Sequence, residues 1–284
     1  MPNMKDTNEI SAQLIEEAIN NNELILHYQL QSSVSSNKIV SMEALTRWQS
    51  SVLGNVDTAK FIGALEVCET SLVAKFHKWL LRKALTQIVA WQEINVAVPV
   101  FLNFSTRYLQ EKECLTVITT LLQEYNLSPS CIGIEVTESS AITNMSDIKF
   151  VLQGLHELGI KIALDDFCTS YCSLEYLSEL PTSIIKIDRR FIQGLVHQDS
   201  RYQKSVSIML EAIVDMAIKL GVEVIAEGVE TLQQLEQVTY LGCDTYQGYL
   251  YCPPIPADYV SAMILNAQNK RSNLSSQLQA ISLI

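Results

Sequence analysis

The sequence has few basic residues and lacks the patterns that mark membrane proteins. Its 284 residues include 20 Lys and Arg against 31 Asp and Glu, a net charge of −11. Unaided binding to DNA or to an anionic membrane is disfavoured, because no face rich in Lys and Arg offsets this acidity. No apolar run approaches the roughly 20 residues of a membrane-spanning helix, and the N-terminal residues lack an apolar signal core. We therefore expect a cytoplasmic protein that neither inserts into membranes nor binds DNA.

Cysteine and histidine are too scattered for a thiolate or imidazole metal site. None of the seven cysteines has the C-x-x-C spacing, and no two of the four histidines are four residues apart. This arrangement argues against a zinc site and against a disulfide framework. We expect reduced thiols that pack as small apolar groups.

The sequence contains instead an alternation of short β-rich runs with amphipathic helical stretches, such as 74–92, 147–158 and 202–219. Eight strands alternating with helices predict an α/β fold, a TIM or (β/α)8 barrel. A doubly wound open sheet is the alternative, but no Gly-rich fingerprint follows the first strand. The predicted strands are 25–29, 39–43, 98–103, 132–136, 161–165, 183–187, 223–227 and 245–249.

The connection between the first two predicted strands is unusually short. Only residues 30–38 separate them, whereas a parallel crossover needs a dozen or more residues. We therefore expect a modified barrel whose first strand is antiparallel, preceded by an amphipathic helix at about 9–21. This divides the chain into an N-terminal helical segment (1–23), a barrel (24–267) and a polar C-terminal tail (268–284).

Acidic residues stand at or near the ends of most of the predicted strands. The carboxyl ends of barrel strands meet at one mouth, where clustered carboxylates repel unless a cation is present. Hard oxygen ligands suit Mg²⁺ or Mn²⁺, and two such ions can promote phosphoryl displacement. The pattern predicts a metal-dependent hydrolase of a phosphate ester. The strand-end residues are Glu43, Asn103, Glu135, Asp165, Asp166, Lys186, Asp188, Glu227 and Gln247.

Seven motifs around these residues resemble the EAL domain, a family of bacterial phosphodiesterases of cyclic di-GMP. They occur in family order across residues 24–262, and the family's barrel also has an antiparallel first strand. The motifs are MEALTRW at 42–48, LNFS at 102–105, EVTES at 135–139, LDDF at 164–167, IKIDR at 185–189, AEGVET at 226–231 and QGY at 247–249.

The resemblance implies a two-metal site of Mg²⁺ or Mn²⁺. Glu227 would act on the metals directly or through water, and Asp166 would assist catalysis beside Asp165. Lys186 would contact the attacking water, either as general base or as an electrostatic anchor; the alternative is a simple ion pair with a neighbouring carboxylate. The implied metal ligands are Glu43, Asn103, Glu135, Asp165 and Asp166.

The resemblance also implies contacts to the substrate. Arg47 would hold a phosphate, and Leu45, Asp188 and Gln247 would line the substrate pocket. Glu138 and Glu230 would have supporting roles, Glu138 by bracing the loop that follows Asp166.

The implied reaction is hydrolysis of cyclic di-GMP to linear pGpG. We also expect a homodimer that is controlled by an unidentified regulatory protein. One loop departs from the family pattern, with Cys168 and Ser170 in place of two glycines, which reach positive φ at the least cost. This departure leaves open a module that binds cyclic di-GMP or a protein partner without turnover. Hydrolysis of a different nucleotide or phosphate ester is a third reading.

Overall fold

A computed structural model describes residues 10–137, 144–167 and 173–267 of the chain. The predictions for Glu138, for the loop with Cys168 and Ser170, and for the tail 268–284 lie outside these residues. Within the described part, no helix combines the length and the apolar character that crossing a bilayer requires.

The described elements follow the predicted alternation and add several short ones. The strands are β1 (Leu24–Ser33), β2 (Ile39–Ser50), β3 (Gly54–Val56), β4 (Val100–Ser105), β5 (Ile132–Thr137), β6 (Lys161–Phe167), β7 (Ile184–Ile187), β8 (Glu223–Glu227), β9 (Thr245–Gln247) and β10 (Ile255–Pro256). The helices are α1 (Ala12–Asn20), α2 (Thr58–Glu66), α3 (Thr70–Glu93), α4 (Thr106–Leu109), α5 (Glu113–Glu124), α6 (Met145–Glu157), α7 (Ser173–Glu179), α8 (Arg189–Gly194), α9 (Ser200–Leu220), α10 (Leu232–Leu241) and α11 (257–267).

Eight of these strands close a barrel in the order β1-β9-β8-β7-β6-β5-β4-β2, and β2 pairs back onto β1. β1 is antiparallel to both β2 and β9. The other neighbouring strands of the barrel, from β2–β4 round to β8–β9, pair in parallel. The modified barrel with an antiparallel first strand is therefore confirmed. β3 and β10 extend this sheet beyond the barrel.

The barrel interior is closed beneath its mouth by a small apolar layer of Phe101, Ala163, Ile184 and Ile225. Gly133 makes room for this layer, because a Cβ at that position would overlap the ring of Phe101. The interior is thus a packed core, and only the C-terminal ends of the parallel strands are left for chemistry.

Local sequence signals fix the helices that pack around the barrel, and α9 is an example. Asp199 caps its first turn by accepting hydrogen bonds from the backbone N–H groups of Arg201 and Tyr202. Its buried residues Val206, Leu210, Val214 and Ala217 recur three and four apart and face the barrel. Gly221 ends the helix with a φ of 70°, which glycine adopts without strain.

Candidate functional site

The strand-end residues come together at one mouth of the barrel. Glu43 lies on β2, Asn103 on β4 and Glu135 on β5, and the parallel register places Asn103 directly beside Glu135. Gln247 on β9 lies beside Glu227 on β8 in the same way. Glu43 and Glu135 are buried, so this mouth holds carboxylates that solvent barely reaches.

Lys186 lies at the centre of these carboxylates. Its side chain is fully buried, and its Nζ is 2.6 Å from Glu135 Oε2, 2.8 Å from Glu227 Oε1 and 3.0 Å from Asp165 Oδ1. Glu43 Oε2 is 3.5 Å away. Four acidic side chains thus share one ammonium group, and the site carries an excess of negative charge.

This arrangement shifts the protonation of its members in opposite directions. Burial raises the pKa of Glu135 well above its usual value, and the carboxylate of Glu43 adds to the rise. Burial likewise raises the pKa of Glu227, to about 8. Burial alone would lower the pKa of Lys186, but the four surrounding carboxylates, with Asp165 foremost, raise it well above its usual value. The lysine therefore keeps its proton in this arrangement.

A break in the register of β6 brings two adjacent aspartates to the mouth. Strand alternation would send Asp165 and Asp166 to opposite faces, but the pairing of β6 with β7 shifts between Leu164 and Phe167, and Asp166 has a φ of 50°. Oxygens of Asp165, Asp166 and Glu227 consequently lie within 4.8 Å of one another and could hold a metal ion. Burial and the Asp165 carboxylate raise the pKa of Asp166 to about 6.

Gln247 is held in a buried polar network under the mouth. Its Nε2 donates to Glu43 Oε2 at 2.7 Å and to Gln29 Oε1 at 2.9 Å. Its Oε1 accepts a hydrogen bond from Gln31 Nε2 at 2.8 Å, and Gln31 in turn accepts from Ser41. Gln247 lines the polar side of the mouth, and its hydrogen bond to Glu43 orients that carboxylate. The alternation of Gln29 and Gln31 along β1 is the sequence feature that could have predicted this network, because it places both amides on one face of the strand.

Leu45 and Arg47 follow Glu43 on the same face of β2, two and four residues further along respectively. Leu45 lines the mouth. The guanidinium of Arg47 donates to the carbonyl oxygen of Thr46 at 3.0 Å and to Thr58 Oγ1 at 3.4 Å, and burial lowers the pKa of Arg47. Arg47 therefore stands above the carboxylates, on the wall shared with α2.

The other predicted residues lie at the edge of the site. Asp188 caps α8 and forms an ion pair of 2.6 Å with Arg190 Nε. Glu230 is exposed, and its backbone N–H donates to Gln234 Oε1. Both line the polar side of the mouth.

Two cavities flank the central carboxylates and share Glu43, Leu45 and Asp165. The polar cavity, of about 290 Å³, lies on the side of Lys186, Arg189 and Tyr249. The apolar cavity, of about 260 Å³, lies on the other side between the barrel and the helices α2 and α3. Sequence reasoning missed both α2 and this second cavity.

Comparison with known proteins agrees with this geometry. The sequence profile of the EAL domain matches residues 12–254. The chain belongs to the EAL domain family. This EAL domain is 36% identical to the signaling protein YkoW of Bacillus subtilis over 262 residues, 92% of this chain and 32% of YkoW. It is 33% identical to the cyclic di-GMP phosphodiesterase PdeR of Escherichia coli over 243 residues, 86% of this chain and 36% of PdeR.

Solved structures resemble this EAL domain over most of its length. The phosphodiesterase MucR of Pseudomonas aeruginosa, in complex with cyclic di-GMP, shares 32% sequence identity with a TM-score of 0.78, covering 87% of this chain and 98% of that structure. An EAL domain protein from Listeria monocytogenes has 27% identity and a TM-score of 0.76, covering 90% of this chain and 98% of that structure. The chain spans about a third of the length of YkoW, MucR and PdeR.

The residues of this EAL domain fit divalent cations. Glu135 Oε1 is buried without a hydrogen-bond partner among the described residues, which is costly unless a cation or donor approaches it. All the clustered acceptors are oxygens, the ligand type that Mg²⁺ and Mn²⁺ prefer. One ammonium group balances only part of the charge of five ionised carboxyl groups, and a bound cation would balance more of it.

Proposed function

We propose that this EAL domain is a metal-dependent phosphodiesterase that converts cyclic di-GMP to linear pGpG. The observation that carries the proposal is the cluster of carboxylates at the barrel mouth, in which the buried Glu135 Oε1 has no hydrogen-bond partner among the described residues. The reaction consumes one water molecule and breaks one P–O bond, leaving a 5′-phosphate and a 3′-hydroxyl. The names of PdeR and MucR support this substrate by family relationship.

Mg²⁺ or Mn²⁺ would be held by this chain's own strand ends. Asp165, Asp166 and Glu227 already have oxygens close enough to share an ion, and Glu43, Asn103 and Glu135 would complete the ligand set. When bound, such ions act as Lewis acids and acidify water.

Lys186 serves in this proposal as an electrostatic anchor. Its pKa is raised by the carboxylates around it, Asp165 foremost, although burial opposes the rise. An ammonium that keeps its proton cannot accept one from water. Its position 2.6 to 3.0 Å from three carboxylates suits it to orient those groups and to bind the attacking water.

Arg47 would bind a phosphate of the substrate. It lies four residues beyond Glu43 on the same face of β2, and its guanidinium has no carboxylate partner within 4 Å among the described residues. Leu45 would contact the substrate from the same strand. Asp188, Glu230 and Gln247 would line its path on the polar side.

The direct test is incubation of the purified protein with cyclic di-GMP in the presence of Mg²⁺, Mn²⁺ or EDTA, followed by chromatography for pGpG. We expect product only with a divalent metal. Asp165→Asn should abolish it by removing a buried carboxylate oxygen, while Asp215→Asn, a matched change on the exposed face of α9, should not. Product formation in EDTA, or full activity of Asp165→Asn, would contradict the proposal.

A second candidate is a module that binds cyclic di-GMP without turnover. The substitution of two family glycines by Cys168 and Ser170 favours it. In that case the same incubation yields no pGpG while equilibrium dialysis shows bound nucleotide, and restoring glycine at both positions should create activity.

We also propose that the protein is cytoplasmic, forms a homodimer and is controlled by a regulatory protein. The homodimer rests on the family resemblance, and the location rests on the patterning of the sequence. Sedimentation equilibrium tests the dimer directly, and a single species at monomer mass at micromolar concentration would refute it.

A further inference from the structure

Two cationic side chains line the polar cavity within the described part of the chain, Lys186 and Arg189. The acidic residues that line the same cavity are Glu43, Asp165, Asp188, Glu227 and Glu230. Lys186 Nζ is already surrounded by four carboxylates. Arg189 is therefore the cation of this cavity that an anionic ligand can approach, and a phosphate entering on this side meets net negative charge unless Arg189 contacts it.

The guanidinium of Arg189 has no partner among the residues that the structure describes. The adjacent carboxylate of Asp188 accepts instead from Arg190, through Nε at 2.6 Å and through the backbone N–H at 3.0 Å. Arg189 lines the cavity that also reaches the metal ligands Glu43 and Asp165. Its charge is thus available to a ligand that binds to those residues as well.

Gly228, in the loop that follows β8, fixes the base of the Arg189 side chain. Its φ is 66°, and a Cβ at this position would overlap the Cβ of Arg189. The arginine side chain therefore packs at its base against the backbone next to Glu227. Arg189 is also the first residue of α8, whose start is capped by Asp188. Held between a helix end and a loop, the side chain loses part of its conformational freedom before any ligand binds.

Arg189 and Arg47 lie on opposite sides of the barrel mouth. In the closed ring of eight strands, β7 is four places from β2 in either direction. Arg47 lies on β2, and Arg189 follows the end of β7 by two residues. The carboxylates that would hold the metal ions lie between these two positions. A ligand with two separate negative charges can therefore be bound from both sides of the mouth at once.

We infer that Arg189 binds the second phosphate of cyclic di-GMP, the one that is not cleaved, while Arg47 contacts the phosphate at the metal ligands. This inference rests on the proposed phosphodiesterase function and adds a substrate-binding residue to it. A cyclic dinucleotide has two phosphodiester groups on opposite sides of one ring, and each carries a negative charge. The planar guanidinium pairs with a phosphate through two parallel hydrogen bonds.

The contact implies a preference for substrates that have a second phosphate. A diester with a single phosphate uses the metal ligands and Arg47 and gains nothing from Arg189. Without the arginine, the second phosphate of cyclic di-GMP would face the carboxylates of Asp188 and Glu230, which repel it. Arg189 therefore contributes to binding of the cyclic dinucleotide and not to cleavage of the bond.

The test compares Arg189→Gln with Arg201→Gln, a matched change at an exposed position in the first turn of α9. Steady-state kinetics are measured on cyclic di-GMP and on bis(p-nitrophenyl) phosphate, which has one phosphodiester group. In Arg189→Gln, KM for cyclic di-GMP should rise roughly tenfold to a hundredfold with little change in kcat, whereas KM for the single diester should stay within about twofold. Arg201→Gln should match the unmodified chain on both substrates.

Two further measurements separate a phosphate contact from a structural role. Arg189→Lys should restore part of the lost affinity, because lysine keeps the charge but not the paired hydrogen bonds. Added salt should raise KM for cyclic di-GMP more in the unmodified chain than in Arg189→Gln, because ions screen the contact. An unchanged KM for cyclic di-GMP in Arg189→Gln, or an equal rise on both substrates, overturns the inference.

The inference can fail independently of the proposed hydrolysis. If the unmodified chain produces no pGpG, the hydrolysis proposal fails, and isothermal titration of cyclic di-GMP into the unmodified chain and into Arg189→Gln still measures the contact. If the chain produces pGpG and Arg189→Gln has the same KM, the hydrolysis is supported and the role of Arg189 is refuted. Absence of any binding to the unmodified chain refutes both.

Discussion

At the scale of single residues, Lys186 determines whether the barrel mouth is stable without metal. A buried charge is tolerated only when opposite charges surround it closely, and removing one partner of such a set costs more than the set contributes. Four carboxylates lie within 3.5 Å of its Nζ. The ammonium therefore acts as an internal counter-ion of the metal-free protein.

Lys186→Met should lower the free energy of unfolding in EDTA by about 3–5 kcal/mol, because the carboxylates lose the ammonium group that lies among them. Saturating Mg²⁺ or Mn²⁺ should recover part of the loss. Urea denaturation followed by circular dichroism measures both. As a control, Lys161→Met breaks an exposed ion pair with Glu223 and should change stability by less than about 1 kcal/mol. Equal loss in both variants would refute the counter-ion role.

His77 is a second residue whose burial has a measurable consequence. It is 2% exposed and neutral, with Nδ1 donating to the carbonyl oxygen of Val73 and Nε2 accepting from the N–H of Ser105. Burial lowers the pKa of His77 from 6.5 to about 4. The unfolded chain therefore binds a proton at a higher pH than the folded protein does.

Stability should consequently fall as the pH drops from about 6.5 to about 4, and His77 should account for up to about 3 kcal/mol of that fall. Above pH 6.5 its contribution is constant. Urea denaturation at pH 7 and pH 5 should show a smaller difference in His77→Gln than in the unmodified chain. His156→Gln, at an exposed position of α6, should retain the full difference, and an equal slope in both variants would contradict the assignment.

At the scale of elements, β9 ends earlier than the sequence predicts because of a close backbone contact. The β-rich run extends to Tyr249, but β9 ends at Gln247. A Cβ on Gly248 would overlap the backbone N, C and O of Val229. The two loops that follow β8 and β9 are therefore packed against each other directly beside Glu227 and Gln247.

Gly248→Ala should lower the free energy of unfolding by about 1–3 kcal/mol, because a backbone segment must move to admit the methyl group. Gly63→Ala is the matched control. Gly63 lies inside α2 with nothing within 4 Å of an added Cβ, so this change should raise stability by about 0.5–1 kcal/mol. Thermal denaturation of the two variants should give shifts of opposite sign.

The sequence predicted those features that depend on periodicity and loop length, and missed those that depend on side-chain contacts. The antiparallel β1 followed from a connection of nine residues, and the meeting of strand ends at one mouth followed from the barrel. The register shift at Asp165 and Asp166 had no sequence signal, since it depends on how β6 pairs with β7. The sequence did not predict the apolar cavity, because α2, which forms one of its walls, is only nine residues long and has a correspondingly weak apolar pattern.

At the scale of the whole molecule, metal binding and folding are coupled through the carboxylate cluster. A ligand that binds the folded state alone stabilises it, by about 2.7 kcal/mol at one hundred times its dissociation constant. For a domain of this size that corresponds to a rise in Tm of roughly 5–10 °C.

Mg²⁺ or Mn²⁺ should therefore raise the Tm of the unmodified chain, and EDTA should reverse the rise. Asp165→Asn should abolish or sharply reduce the shift, whereas Asp215→Asn should keep it. Differential scanning calorimetry checks this without any nucleotide. A shift of equal size in both variants would mean that the metal binds elsewhere.

The reversed first strand also decides where the polypeptide enters the barrel. In an all-parallel barrel the chain arrives at the end opposite the catalytic mouth, but here β1 starts at the mouth, where Ile25 pairs with Arg47 and His27 with Leu45. α1 therefore approaches the barrel from the catalytic side. A displacement of α1 would be transmitted through the first two residues of β1, because Ile25 pairs with Arg47 on β2. The reversal of one strand thus places α1 only a few residues of chain away from the wall that carries Arg47.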